Sequence, residues 1–179
     1  LLVVHGLMVW KAERCKEWLN RLPRHRAAGI YTLAVGMFWF WLLIAPENLG
    51  VLSSLTMDIG EFNAVKPWLR IIVPVAFLGM AIGVKEFLFV RALGVVALMA
   101  SSPLLEAAFN RDPATRLLIP VFSYALLTAG LFWVGMPYTF RDLAKWATDS
   151  HKRWMSLALS GLGYGALTLL CAVLFWGGH

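Results

Sequence analysis

Apolar stretches of about twenty residues alternate with short basic stretches along this chain. The clearest case is residues 11–26, which are rich in Lys and Arg, followed by the uncharged residues 27–45. The same layout recurs after Arg91 and after Arg153. A helix of about 20 apolar residues crosses the roughly 30 Å of hydrocarbon in a bilayer. The pattern therefore predicts an all-α membrane protein.

Prolines and turn-forming residues divide the apolar sequence into about six transmembrane helices within one domain. The first segment is short, since ten residues span only about 15 Å as a helix. We interpret it as an incomplete transmembrane helix that continues as an amphipathic interfacial segment to Leu22. The third helix can span only if Arg70 and Lys85 extend outward from its two ends, and a re-entrant helix is the alternative. The predicted helices are about Leu1–Trp10, Ala27–Ala45, Trp68–Val84, Ala92–Phe109, Arg116–Met136 and Trp154–Trp176.

Several segments resemble one another and raise the question of an internal repeat. Arg26-Ala-Ala-Gly and Arg91-Ala-Leu-Gly each open a predicted helix, as do Arg70-Ile-Ile-Val-Pro-Val and Arg116-Leu-Leu-Ile-Pro-Val. One interpretation is a bundle of three repeated helical hairpins, an arrangement that transporters use. The alternative is that every membrane hairpin needs Arg at its inner end and small residues within. Repetition alone does not predict transport.

The composition supports a membrane protein. The 179 residues are 60% hydrophobic and 15% charged, with nine Trp. A soluble domain of about 150 residues buries only about 70% of the surface that its unfolded chain exposes, so it could not hide so much apolar surface. The net charge of +6 comes from Lys and Arg clusters beside apolar stretches, where they set topology and contact anionic headgroups. We therefore expect the lipid bilayer, and not nucleic acid, as a partner.

The distribution of Lys and Arg predicts an orientation. Twelve of these residues fall in the loops on one side of the predicted topology and four on the other side. Loops rich in Lys and Arg remain in the cytoplasm. The Trp residues also cluster near the predicted ends of the helices, as in the aromatic belts of membrane proteins. We expect an integral protein of a bacterial inner (cytoplasmic) membrane with its basic loops in the cytoplasm.

Glu106 is the carboxylate whose position suggests transport. It lies fifteen residues after Arg91, or about 22 Å along the fourth helix, one turn beyond Ser101, Ser102 and a proline. Ionisable groups inside a membrane are functional candidates by default. With Tyr124 of the fifth helix, these residues could bind a cation or relay a proton. The alternative is that Glu106 lies among the outer headgroups, beside basic residues of the next loop.

His5 is the histidine expected at membrane depth. An imidazole there could be an axial ligand of a haem or chlorin. The other three histidines are predicted to be interfacial or outside, so the sequence offers no second ligand at the same depth. More often such a histidine hydrogen-bonds within the bundle. The sequence therefore requires no cofactor, although a pigment- or quinone-associated subunit with His5 as a ligand stays an alternative.

Two Gly-xxx-Gly motifs, Gly79/Gly83 and Gly161/Gly165, predict close approach between helices. Packing within the chain is the favoured interpretation, and dimerisation is the alternative.

Absent motifs decide the leading functional hypothesis. The sequence contains no nucleophile elbow, no Cys or His cluster with metal spacing and no Gly-rich phosphate loop. Its loops are too short to fold a catalytic domain. We therefore expect a non-catalytic accessory or scaffold subunit of a larger membrane complex. A small transporter or channel that uses Glu106 is the first alternative.

Overall fold

The computed structural model describes residues 1–46, 56–58, 60–84, 86–109 and 114–176, and these residues form helices but no strand. Short 3₁₀ turns precede three of the helices, and a π turn, Ala172–Trp176, extends the last one. The eight α-helices of the described part are α1 (Leu2–Trp10), α2 (Ala12–Arg21), α3 (Arg26–Leu43), α4 (Lys66–Gly83), α5 (Leu88–Ala108), α6 (Leu118–Gly135), α7 (Tyr138–Thr148) and α8 (His151–Cys171).

Five of these segments are long and apolar enough to cross a membrane. They contain α3, α4, α5, α6 and α8 and are 18 to 25 residues long. The prediction of an all-helical, multi-pass membrane protein is confirmed at this level. Helix α1 has nine residues and is not among the five spans, so a sixth transmembrane helix stays a prediction, as does the repeat of three hairpins. The third predicted helix is a continuous α4 of 18 residues, while Lys85 lies outside the described residues.

The fourth predicted helix begins earlier than expected. Helix α5 begins at Leu88 rather than at Ala92, because the turn that starts it is formed by Phe87, which has a positive φ of 55°. The amide of Arg91 donates to the carbonyl oxygen of Phe87 at 3.2 Å and so belongs to the first turn. A charged residue is therefore a poor marker of the helix boundary here, because a long Arg side chain can reach the interface from inside a helix.

The first and last basic stretches form amphipathic helices, α2 and α7. Helix α2 is separated from α1 by Lys11, whose backbone is not helical, and a 3₁₀ turn containing the buried Pro23 follows it. The Asn20 side chain donates to the Thr148 hydroxyl at 3.1 Å, which joins α2 to α7. We call the end of the bundle that holds these two helices the basic end.

Helix α5 forms the centre of the bundle. It packs against α3 on one side and against α6 on the other, while α4 packs mainly against α3. On the α3 side, Leu33, Leu88 and Ala92 are fully buried or nearly so. On the α6 side, a Cβ added to Gly94 would lie 2.8 Å from the carbonyl oxygen of Gly130. The close contact between α5 and α6 thus follows from small residues that let the two backbones approach.

Helix α1 packs against α8 through the second Gly-xxx-Gly motif. A Cβ on Gly161 would overlap the imidazole of His5, and a Cβ on Gly165 would lie 3.1 Å from the Cβ of Leu1. The indole Nε1 of Trp154 donates to the carbonyl oxygen of Met8 at 2.9 Å. The Trp154 side chain is buried in this contact.

Candidate functional site

The structure does not gather the predicted transport residues into one polar site. Ser101 is fully buried between α5 and α6, whereas Ser102 and Glu106 lie on the exposed face of α5. Tyr124 of α6 is also exposed, at 61% of its full surface. Glu106 is therefore placed where lipid, headgroups or another protein can reach it. Transport through Glu106 stays a prediction that requires a path outside the α5–α6 contact.

The buried hydroxyl groups bond within their own helices. Ser101 Oγ donates to the Ala97 carbonyl oxygen at 2.9 Å, and Ser123 Oγ donates to the Ile119 carbonyl oxygen at the same distance. Ser101 Oγ also lies 3.4 Å from the Ser123 carbonyl oxygen across the interface. Such bonds to the carbonyl four residues earlier satisfy a hydroxyl without a ligand. They favour a packing role for these two serines.

His5 has contacts that compete with a role as an axial ligand. Its Nδ1 lies 3.0 Å from the Leu1 carbonyl oxygen, and the edge of the ring that carries Nε2 packs onto Gly161. Within the ranges that the structure describes, no group of three or more His, Cys, Asp or Glu residues is positioned to hold a metal ion. Axial ligation by His5 stays a prediction that needs α1 to move away from α8.

The feature most like a binding site is an apolar cleft of about 370 Å³ between α3 and α4. Its volume falls in the range of about 300–1,000 Å³ that is typical of ligand pockets. The lining residues of α3 recur at helical spacing on one face of that helix. The lining residues of α4 lie around Pro74, which has no backbone N–H to donate to the preceding turn. The cleft is lined by Ala34, Met37, Phe38, Trp41, Val73, Pro74 and Phe77.

Two arginines join the helices on either side of the cleft. At the basic end, the Arg26 guanidinium donates to the Ala81 carbonyl oxygen at 3.3 Å. At the opposite end, Arg70 Nε donates to the Ile44 carbonyl oxygen at 2.7 Å. The carbonyl of Ile44 is available because it lies just beyond the last turn of α3, where intrahelical partners run out. Arg70 therefore bonds to a neighbouring helix, whereas the sequence pattern predicts that it extends outward from the end of its own helix.

A second cation lies beside Arg70 at this end of the cleft. Lys66, one turn before Arg70, is only 9% exposed. Among the described residues, neither side chain is within ion-pair distance of a carboxylate. The Asp58 carboxylate interacts electrostatically with Lys66. Hydrogen bonds from the Asn63 side chain and the Gly60 amide, in that order of size, lower the pKa of Asp58.

Sequence reasoning missed this site, although a signal for it was present. Residues 66, 70, 73 and 77 follow helical spacing, so the two cations and two lining residues share one stripe of α4. The same spacing places 34, 37, 38 and 41 on one face of α3. Nothing in the sequence indicates that these two stripes face each other, because that depends on how α3 and α4 pack. The cleft could therefore be found only in the folded chain.

Comparisons of the chain with protein-family models, with curated proteins and with solved structures found no match. The fold itself defines the class, an integral membrane protein whose described part contains five membrane-length helices.

Proposed function

We propose that this protein is a non-catalytic accessory or scaffold subunit of a larger membrane assembly, and that α4 contacts the partner. The observation that supports the proposal is how little of α4 this chain covers. Only 6% of the α4 span is buried inside the protein, compared with 33% of the α5 span. Helix α4 lies at the edge of the row of membrane helices, so one whole face of it is available to another protein.

The glycines of α4 give this face a specific shape. A Cβ on Gly79 or on Gly83 would meet no atom of another described element within 4 Å, so neither glycine packs against the described part of the chain. Gly costs about 1 kcal/mol relative to Ala in a helix interior. Small residues spaced four apart let a second helix approach closely in a membrane. With the exposed Ile72 and Val75, the two glycines form a face suited to a transmembrane helix of the partner.

The first experiment is to solubilise the native membrane gently and determine the mass and protein content of the particle that contains this chain. We expect a particle with fixed partner proteins. We expect replacement of both α4 glycines, Gly79→Leu with Gly83→Leu, to release the partner because the side chains fill the groove. Gly163→Leu on α8 is the matched control, since Gly163 also has no atom within 4 Å.

Two results would contradict this proposal. One is a wild-type particle that contains only this chain or a few copies of it. The other is an assembly that tolerates the α4 double variant as well as it tolerates Gly163→Leu. The first result would direct attention to transport through Glu106.

We also propose that the protein resides in a bacterial cytoplasmic membrane with its basic end in the cytoplasm, which the excess of Lys and Arg at that end supports. Cys15, in α2, is a natural reporter of this end. A membrane-impermeant thiol reagent should label it only after the cells are permeabilised. In a Cys15→Ser background, a cysteine at the exposed Glu61 should be labelled in intact spheroplasts. Labelling of Cys15 in intact cells, with labelling of the cysteine at position 61 only after permeabilisation, would mean that the basic end faces away from the cytoplasm.

A further inference from the structure

We propose that the cleft between α3 and α4 binds an anionic phospholipid, with one acyl chain in the cleft and the phosphate on Lys66 and Arg70. This site is separate from the proposed partner face, because Gly79 and Gly83 lie on the other side of α4. The two proposals can therefore fail independently.

The cleft is suited to a hydrocarbon chain. Its seven lining residues carry no charged group and include three aromatic rings, those of Phe38, Trp41 and Phe77. An apolar cavity does not hold water, which needs two to four polar partners. The cleft opens on the outside of the bundle, where Phe38 is largely exposed and acyl chains are the surrounding solvent. A lipid chain is therefore the occupant that matches its surface.

The back of the cleft is held in place by the protein core. Met37 and Phe77 line the cleft and also pack against the buried cluster of Leu33, Leu88 and Ala92. The Arg70 bond to Ile44 fixes α4 to the end of α3 directly beside the cleft. A preformed site loses less conformational entropy when a chain binds than a flexible surface does. The cleft is thus a defined site and differs from a general lipid-facing groove.

The charges at the cleft select the headgroup. Lys66 is nine-tenths buried and has no carboxylate within ion-pair distance among the described residues. Such a buried cation is costly, and an anion that binds to it removes that cost. Arg70 donates through Nε to Ile44, and its terminal nitrogens have no hydrogen-bond partner among the described residues. They can therefore make the forked hydrogen bonds that suit a phosphate. The Asp58 carboxylate already accepts bonds from Asn63 and Gly60 and is not a full counterion for both cations. A phospholipid with net negative charge complements this arrangement better than a zwitterionic one.

The test is lipid binding to the full-length, delipidated protein in mild detergent, followed by native mass spectrometry. Phosphatidylglycerol and phosphatidylcholine with identical acyl chains are compared. A cation near a membrane surface contributes about 1 kcal/mol towards an anionic lipid, or roughly fivefold in affinity. We therefore expect the wild-type protein to prefer phosphatidylglycerol by roughly 25-fold. Lys66→Gln should lower the preference about fivefold, and adding Arg70→Gln should abolish it.

Two further variants separate the chain from the headgroup. Ala34→Phe fills the cleft from α3 and should weaken the binding of both lipids. Arg116 lies in the turn before α6, at the same end of the bundle as Lys66 and Arg70. Arg116→Gln should leave the preference for phosphatidylglycerol unchanged. Because Lys66→Gln keeps the Arg70–Ile44 bond, it tests the site even if the Arg70 variant does not fold.

Three outcomes would overturn the lipid site. The first is equal affinity of the wild-type protein for the two lipids. The second is an unchanged preference in a folded Lys66→Gln variant. The third combines two results: millimolar inorganic phosphate displaces phosphatidylglycerol, and Ala34→Phe does not change lipid binding. Together they would mean that the cations bind a free anion and the cleft binds nothing.

Discussion

The α5–α6 pair and the α3–α4 pair are both antiparallel neighbours, but they meet in different ways. In the first pair, Gly94 and Gly130 bring the two backbones together, and Ser101 and Ser123 are fully buried between the helices. In the second pair, a cleft lies between the helices and is lined mainly by large side chains. Without a hydrophobic driving force between helices in lipid, small residues decide where a contact closes. The open pair is thus where we propose that a lipid binds.

The largest effect should follow from a large residue in the closed pair. Gly94→Leu places side-chain atoms against the Gly130 carbonyl oxygen and the Val134 side chain, each only 2.8 Å from where the new Cβ would lie. Overpacking of this kind costs about 3 kcal/mol, and more where backbone must move. Thermal unfolding in detergent, followed by circular dichroism, measures the loss. Gly79→Leu is the control and should not destabilise the isolated chain, because a Cβ there meets no described atom within 4 Å and Leu has the higher helix propensity. Equal losses of stability in both variants would mean that the loss in Gly94→Leu does not come from the α5–α6 contact.

A smaller and local effect should follow from releasing the open pair. Arg70→Gln removes the charged donor to the Ile44 carbonyl, a bond in the class that contributes about 1.5–3 kcal/mol. Hydrogen exchange should then accelerate in α4 while α5 and α6 stay protected. If exchange rises throughout the bundle instead, α4 is not an independently held helix. Arg116→Gln serves again as the variant that should leave α4 unchanged.

Flux measurements test the transport hypothesis for Glu106 and, with it, the closed α5–α6 contact. Because Glu106 is exposed and Ser101 is sealed between helices, we expect Glu106→Gln to leave proton and solute flux through reconstituted protein unchanged. Liposomes with wild-type protein, with the variant and without protein provide the comparison. A flux that depends on Glu106 would contradict the accessory role and would require a path outside the α5–α6 contact.

The smallest effect concerns Asp58, beside the open pair. Its lowered pKa means that folding favours the carboxylate, so this contribution to stability is present above the ordinary pKa of 3.8 and is lost as the pH falls through the lowered value. Asn63→Ala should raise the pKa of Asp58 towards 3.8, because it removes the largest cause of the shift. Carbon-detected NMR titration of the carboxyl group measures this. Glu13, whose pKa is lowered by its bond to Lys16, is the internal reference and should not change.

Hydropathy predicted the helices well because each span must be apolar over its whole length, whichever way it faces. Hydropathy could not predict how each helix is rotated about its own axis. Ser101 and Ser102 are neighbours in sequence, yet one is buried and the other is exposed. Likewise, the two Gly-xxx-Gly motifs look equivalent, but a Cβ on Gly161 would meet His5 of α1, whereas a Cβ on Gly79 would meet no described atom of another element within 4 Å. Which face meets a neighbour depends on the packing of all helices, and a single sequence does not encode that in a local pattern.

The contact between α1 and α8 has a consequence for biosynthesis. The Trp154 bond to Met8 joins residues separated by 146 positions, whereas α5 and α6 are consecutive and can pair as soon as both are inserted. At roughly 5–20 residues per second, the ribosome needs about 7–30 s to make the intervening chain. During that interval α1 and its His5 imidazole have no α8 to pack against. The α1–α8 contact therefore forms after the α5–α6 pair.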